Sequence, residues 1–199
     1  GYSFQHTVTV DTLAVFSAGL TPNATVISHP TLLDGRPDVA IVVTPVFSGF
    51  NWPVNVGVAY ITTLAKWVIY TEGPVPMPLG QTFHVFCSRQ TPYAYTHIKT
   101  GNNPNLTILN NAALDGTPSA MVFAQHVFQP IGGTPNAYNA TIGVGYNGSR
   151  WVIFDQGQGG MPENLGFHVL VAFSNWSAFT QVVTAANTPD TLGTKIGRA

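Results

Sequence analysis

Five short motifs occur twice, in the same order, along this chain. Leu33-Asp34-Gly35-Arg36-Pro37 returns as Leu114-Asp115-Gly116-Thr117-Pro118, and Gly57-Val58-Ala59-Tyr60 as Gly143-Val144-Gly145-Tyr146. Trp67-Val68-Ile69-Tyr70, Met77-Pro78 and Phe83-His84-Val85 return as Trp151-Val152-Ile153-Phe154, Met161-Pro162 and Phe167-His168-Val169. A sequence that repeats at this scale builds one supersecondary unit twice, so the repeat governs every other structural expectation. The offset is 81 residues at the Asp-Gly pairs, 86 at the Gly-Val pairs and 84 from the Trp motif onward. The second copy therefore carries extra residues in Gln129–Tyr138 and the first carries extra residues in Ile61–Lys66. Both stretches are rich in turn-forming residues, as surface connections are. The expected organisation is a first β-sandwich repeat over 1–90, a second over 91–174, and a C-terminal extension over 175–199.

Strand periodicity dominates and helical periodicity is nearly absent. The first copy reads as strands at Phe4–Val10, Thr25–Leu33, Asp38–Thr44, Val56–Ile61, Lys66–Thr71 and Thr82–Cys87. The second copy repeats all six, from Tyr95–Lys99 to Phe167–Phe173. Asp34-Gly35 is expected to close a type I′ hairpin between the second and third strands. Short strands punctuated by Gly and Pro predict an all-β fold of two tandem β-sandwich domains with an extra C-terminal strand.

Composition excludes several classes. Only 8% of residues are charged, against about 25% in ordinary soluble domains. Net charge is −1 with no basic run, which argues against nucleic acid as a partner. No apolar run approaches the roughly 18 residues of a membrane-spanning helix. So weakly charged a surface opposes self-association little. The single cysteine, Cys87, allows no internal disulfide, and its apolar neighbours predict a buried thiol.

Scarce lysine and glutamate, abundant Thr and Asn, and Asn-x-Ser/Thr sequons at Asn23, Asn105, Asn139, Asn147 and Asn175 suggest a secreted or cell-surface chain open to glycosylation. A start at Gly1 is what processing of a secretory precursor would leave.

No catalytic constellation emerges. His6 and His97 occupy equivalent places in the opening strands, and His84 and His168 in the closing strands, so a scaffold role is expected. Pairing of the opening and closing strands would bring His6 towards His84, but no cysteine or carboxylate nearby completes a metal shell. Glu72 and Asp155 each follow a Trp strand, yet they belong to different copies and do not read as a carboxylate pair. Neither an enzyme activity nor a cofactor or metal is expected. The better contact groups are aromatic: Trp52, Trp176 and Tyr93 lie outside the duplicated core motifs and could offer sugars a stacking face.

Phe179-Thr180-Gln181-Val182-Val183-Thr184 resembles the opening strand Phe4-Gln5-His6-Thr7-Val8-Thr9. Three opening strands for two bodies leaves one strand over. An unpaired apolar strand is a template for pairing with another molecule. Phe179, Gln181, Val182, Val183 and Thr184, with Phe4, His6 and Val8 in the matching first strand, form the expected assembly element.

These motifs together resemble a family of duplicated, secreted bacterial β domains of unassigned function, whose repeat runs Phe-x-His-Thr, Asn-Gly-x-Pro, Gly-Val-x-Tyr, Trp-x-Ile-Phe, Met-Pro and Phe-x-Val. Phe4/His6/Thr7, Gly35/Pro37, Gly57/Val58/Tyr60, Trp67/Ile69, Met77/Pro78 and Phe83/Val85 meet it, and the second copy meets it again. Asp stands for Asn before Gly35 and Gly116, and Tyr95/His97/Ile98 is a looser opening motif. The resemblance implies an extracellular place and an interaction role, and it supplies no ligand or catalytic residue. The functional expectation is a non-enzymatic extracellular subunit that self-assembles, as a filament or surface layer, by strand donation. The second expectation, from another class, is a carbohydrate-binding lectin or adhesin module that contacts surface glycans.

Overall fold

The structure is a computed structural model that describes residues 1–16, 21–47 and 52–173. The described residues form thirteen β-strands and no helix. The first repeat contributes β1 (Tyr2–Thr7), β2 (Leu13–Ala14), β3 (Ala24–Ile27), β4 (Val39–Val46), β5 (Val56–Ile61), β6 (Lys66–Thr71) and β7 (Thr82–Arg89). The second contributes β8 (Ala94–Ile98), β9 (Leu106–Ile108), β10 (Met121–Val127), β11 (Ile142–Tyr146), β12 (Trp151–Asp155) and β13 (Gly166–Ala172). The all-β expectation holds, and β5 and β6 begin and end where their alternation predicts.

Strand order is the same in both halves. β1-β7-β4 corresponds to β8-β13-β10, and β3-β6-β5 corresponds to β9-β12-β11. Register agrees residue by residue. Thr44 lies opposite His84 as Gln125 lies opposite His168, and Val58 opposite Ile69 as Val144 opposite Ile153. Because a one-residue slip would turn every side chain to the other face, matched register places equivalent residues on equivalent faces.

The halves share a sheet. Seven strands run in the order β2-β3-β6-β5-β10-β13-β8, flanked by two three-stranded sheets, β1-β7-β4 and β11-β12-β9. The join is a short parallel pairing of β5 with the end of β10, at Val58 and Val127, where Phe128 N–H donates to Val58 O at 3.0 Å. Side chains alternate along β10: Val122 and Ala124 pack in the core of the second repeat, and Val127 packs in that of the first. The two cores therefore lie on opposite faces of one sheet.

The Asp34-Gly35 hairpin is corrected. β3 pairs with β6 and β4 pairs with β7, so the dipeptide carries the chain from one sheet to another. Gly35 and Gly116 do take positive φ, at 70° and 71°, and their N–H groups donate to Ala65 O and Ser149 O. Asp34 is occupied by Ser28, the His29 N–H and Lys66, which folds the connection back onto the β5–β6 turn. The strand expected over Thr25–Leu33 ends at Ile27, because this turn consumes the rest.

The approach of His6 to His84 is corrected too. β1 does pair with β7, but His6 lies opposite Phe83 and Gln5 opposite His84. The two imidazoles thus project from opposite faces of the sheet. His6 Nε2 meets Thr25 Oγ1 at 2.8 Å, and His97 Nε2 meets Thr107 Oγ1 at 2.7 Å, a bond repeated in each half. Burial lowers the pKa of both, that of His97 to about 4. Val8, just past β1, is 1% exposed and belongs to the first core, while Phe4 packs against its edge. Cys87 is buried in the same core, and that burial pushes its thiol pKa up.

Trp67 sits in that core, and its indole N–H donates to Arg36 O at 2.8 Å, as Trp151 donates to Thr117 O at 3.0 Å. Replacing Trp67 by Phe leaves a void and an unpaired carbonyl, so urea unfolding should show a loss of about 2 kcal/mol.

Candidate functional site at the seam between the repeats

The seam gathers several of the buried polar side chains: Glu72, Gln125, His126 and His168. Glu72, just beyond β6, is 8% exposed. One of its carboxylate oxygens meets His126 Nδ1 and accepts the Tyr70 hydroxyl at 3.0 Å; the other accepts Tyr138 N–H at 3.3 Å. Tyr70 O–H also lies 3.2 Å from His126 Nδ1. Glu72 and Tyr70 come from the first repeat, His126 and Tyr138 from the second. A buried carboxylate needs such partners, since an uncompensated charge there would cost several kcal/mol.

Local sequence makes the space. Gly57 on β5 has no side chain, and a Cβ there would fall 2.3 Å from Glu72 Oε1 and 2.5 Å from the Tyr70 ring. Burial, then the Glu72 carboxylate, raises the pKa of the Tyr70 hydroxyl. The extra residues of the second repeat, Gln129–Tyr138, deliver Tyr138 into the seam. Its hydroxyl faces the carboxylate of Asp155, and burial together with that acid raises the phenol pKa. Glu72 and Asp155, near-equivalents not expected to form a pair, are therefore both neighbours of one tyrosine, the first at its N–H and the second at its hydroxyl. Beside them lies a cavity of about 170 Å³ lined by Asn55, Glu72, His126, Tyr138 and Thr141 among others.

A second set of contacts caps β4. The N–H groups of Ile41 and Val43 face away from β7, and they donate to His168 Nδ1 at 3.0 Å and Gln125 Oε1 at 3.3 Å. Gln125 Nε2 donates in turn to Val56 O at 2.6 Å. An imidazole nitrogen accepts only when unprotonated. Burial, rather than any charge partner, is the main cause that pushes the His168 pKa down to about 4.

In chemical terms the clamp between the repeats joins the Glu72 carboxylate to the His126 imidazole, the Tyr70 phenol and the Tyr138 N–H. The cavity lining contains neither serine nor cysteine, and no three His, Cys, Asp or Glu side chains converge among the described residues as a metal site needs. No helix among the described residues is long and apolar enough to cross a membrane.

The positions expected to contact ligands or carry glycans lie elsewhere. Trp52 is half-buried against Phe83, its ring centroid 6.2 Å away, and so belongs to the first core more than to a stacking face. Tyr93 is 41% exposed beside Phe173. Asn23 is 3% exposed and its side-chain oxygen accepts Phe16 N–H. Asn105 is half-buried, while Asn139 and Asn147 are exposed. Phe179, Gln181, Val182, Val183, Thr184, Trp176 and Asn175 lie outside the described residues.

The sequence does not join the residues that build the seam to one another, although a signal exists. They are places where the copies disagree: Glu72 against Gln156, His126 against Pro45, Gln125 against Thr44. Where the copies agree, exposure still differs. His168 is 2% exposed, whereas its equivalent His84 is exposed.

Fold and seam together define an all-β protein whose two sheet-paired repeats are locked by a buried polar clamp. A family model described as Domain of unknown function (DUF7452) matches residues 57–171, more than half of the chain, so the chain belongs to that family. The matched segment opens in β5 and closes in β13, and it contains both sides of the seam. Neither the curated proteins nor the solved structures gave a match.

Two measurements probe the clamp. Gly57→Ala should destabilise by about 1–3 kcal/mol in urea, since its methyl group collides with Glu72 and Tyr70. Gly145→Ala, whose nearest atom lies 3.5 Å from a Cβ, should be close to neutral. Lowering the pH protonates an unfolded histidine near 6.5, while folded His168 resists to about 4. The unfolded chain then binds more protons, so stability, complete above pH 6.5, should fall between pH 6.5 and 4 by at most about 3 kcal/mol from this residue. His168→Gln, which keeps an acceptor without a titrating ring, should flatten the slope of urea midpoint against pH.

Proposed function

We propose that this chain is a non-enzymatic, extracellular structural subunit that associates with copies of itself. One observation carries the reading: the outer sheet face that β4 covers in the second repeat is covered in the first, among the described residues, only along β4 itself. The outer face of β10-β13-β8 packs Leu170 and Ala94 against Ala40 and Val42 of β4. The matching face of β4-β7-β1 leaves Phe86 38% exposed, and Phe47 at the end of β4 is 64% exposed. Between this face and the rim of the second repeat lies a basin of about 550 Å³, with Val42, Phe86, Tyr93 and Phe123 in its lining. Contiguous exposed apolar surface of this kind marks a site of association. With a net charge of −1 and few charged residues, subunits repel one another little. The scarcity of lysine and glutamate, and the exposed sequons at Asn139 and Asn147, support an extracellular place. The likeness of the Phe179–Thr184 sequence to that of the opening strand supports the same reading by a route of its own, as a donor to a sheet edge of a neighbour.

Sedimentation across a wide dilution series, with electron microscopy of the concentrated sample, tests the proposal. Species that grow with concentration are expected. One monomeric species at every concentration would remove self-association as the function.

A further inference from the structure

We infer that copies of this chain join head to tail by repeating, between molecules, the seam that joins the repeats within one. This inference rests on the proposed self-association and names its contact. In the internal seam the first repeat offers the edge of β5, and behind it Tyr70 on β6. The second repeat brings the end of β10, where Val127 is fully buried and the ring of Phe128 packs 4.9 Å from Phe16 and 6.0 Å from Tyr70.

Each half of that seam exists a second time without a partner among the described residues. At the head of the molecule, Val46 and Phe47 end β4 as Val127 and Phe128 end β10, with the same register against the closing strand. Phe128 is half-buried, whereas Phe47 is 64% exposed. At the tail, β11 is the counterpart of β5, and its only hydrogen-bonded neighbour among the described strands is β12. Val144 stands for Val58 and Phe154 for Tyr70. Even the clearance is reproduced: a Cβ on Gly143 would lie 2.5 Å from the Phe154 ring, as one on Gly57 would from that of Tyr70. Ile108, opposite Val152 on the same outer face as Phe154, is 39% exposed.

The head is free to make this contact while the internal seam stays closed. β4 uses the N–H groups of Ile41 and Val43, near its middle, to bind the second repeat. The parallel pairing uses the far end of the strand, at Val46 and Phe47. The edge of β11 in one molecule would run parallel to that end in the next, with Phe47 on Phe154. The preceding molecule's β10 would then lie over Phe86 and His84, as β4 lies over Leu170 and His168. Head and tail are different surfaces, so the contact is heterologous and leaves one of each open, which makes a growing filament or a closed ring.

The decisive experiment pairs two lesions of the same sign. Phe47→Glu damages the head and Phe154→Glu the tail; Ile108→Glu, at a more exposed position, serves as the tail lesion should Phe154→Glu fold poorly by circular dichroism. Each variant alone should lose every species larger than a monomer in sedimentation. Mixed in equal amounts, they should form dimers and nothing larger, because one intact head meets one intact tail. Association of Phe47→Glu at the wild-type level would overturn the inference. So would loss of association on truncation after Phe173 with Phe47→Glu unaffected, which would assign the contact to the terminal segment. In both cases self-association itself survives, whereas a wild-type protein that stays monomeric would sink both readings.

Discussion

The arrangement depends on how β4 satisfies the N–H groups that its own sheet cannot reach. Ile41 and Val43 point away from β7 at the open side of the first sheet pair. A buried N–H left unpaired is costly, and an exposed edge invites foreign strands. Two side chains of the second repeat, His168 and Gln125, accept them instead. That solution fixes where the second repeat must lie. With β13 held across β4, the end of β10 reaches β5, and Gln125 bonds Val56 O. His126, next along β10, turns to the opposite face and meets Glu72. The clamp follows from the strand alternation.

Much of the fold is legible in the sequence because strands are local objects. The repeated Gly-Val-x-Tyr and Trp-Val-Ile motifs mark β5 and β6 to the residue, since alternation and a tight turn leave little freedom. What escapes is pairing between distant residues. Asp34-Gly35 has the chemistry of a hairpin turn, yet the positive φ of Gly35 serves a crossing between sheets. Local composition cannot tell these apart, because the difference lies in Ile69 and Val85, which claim β3's and β4's positions from far along the chain. Glu72 and His126 are further apart still, and nothing near either announces the other.

Duplication helps and hides at once. Equivalent histidines read as scaffold, and His6 and His97 behave so, each holding a threonine of the facing sheet. His84 and His168 share a motif and differ in fate, because only the second is covered by the other repeat. Identity between copies reports the common framework. The departures, at Glu72, Gln125 and His126, report where one copy touches the other. The family match across 57–171 spans this junction rather than a single repeat, in keeping with a unit defined by its seam.

Cores on opposite faces of a shared sheet also bear on cooperativity. Opening the first repeat would strip Val127 of its surroundings and leave Glu72 and His126 without each other. Opening the second would uncover the β4 edge and the Tyr70 ring. Neither half keeps a complete interior alone, so each repeat is a poor folding intermediate for the other. Heat should melt the molecule as one body, in a single calorimetric peak, although its sequence is written in two stanzas.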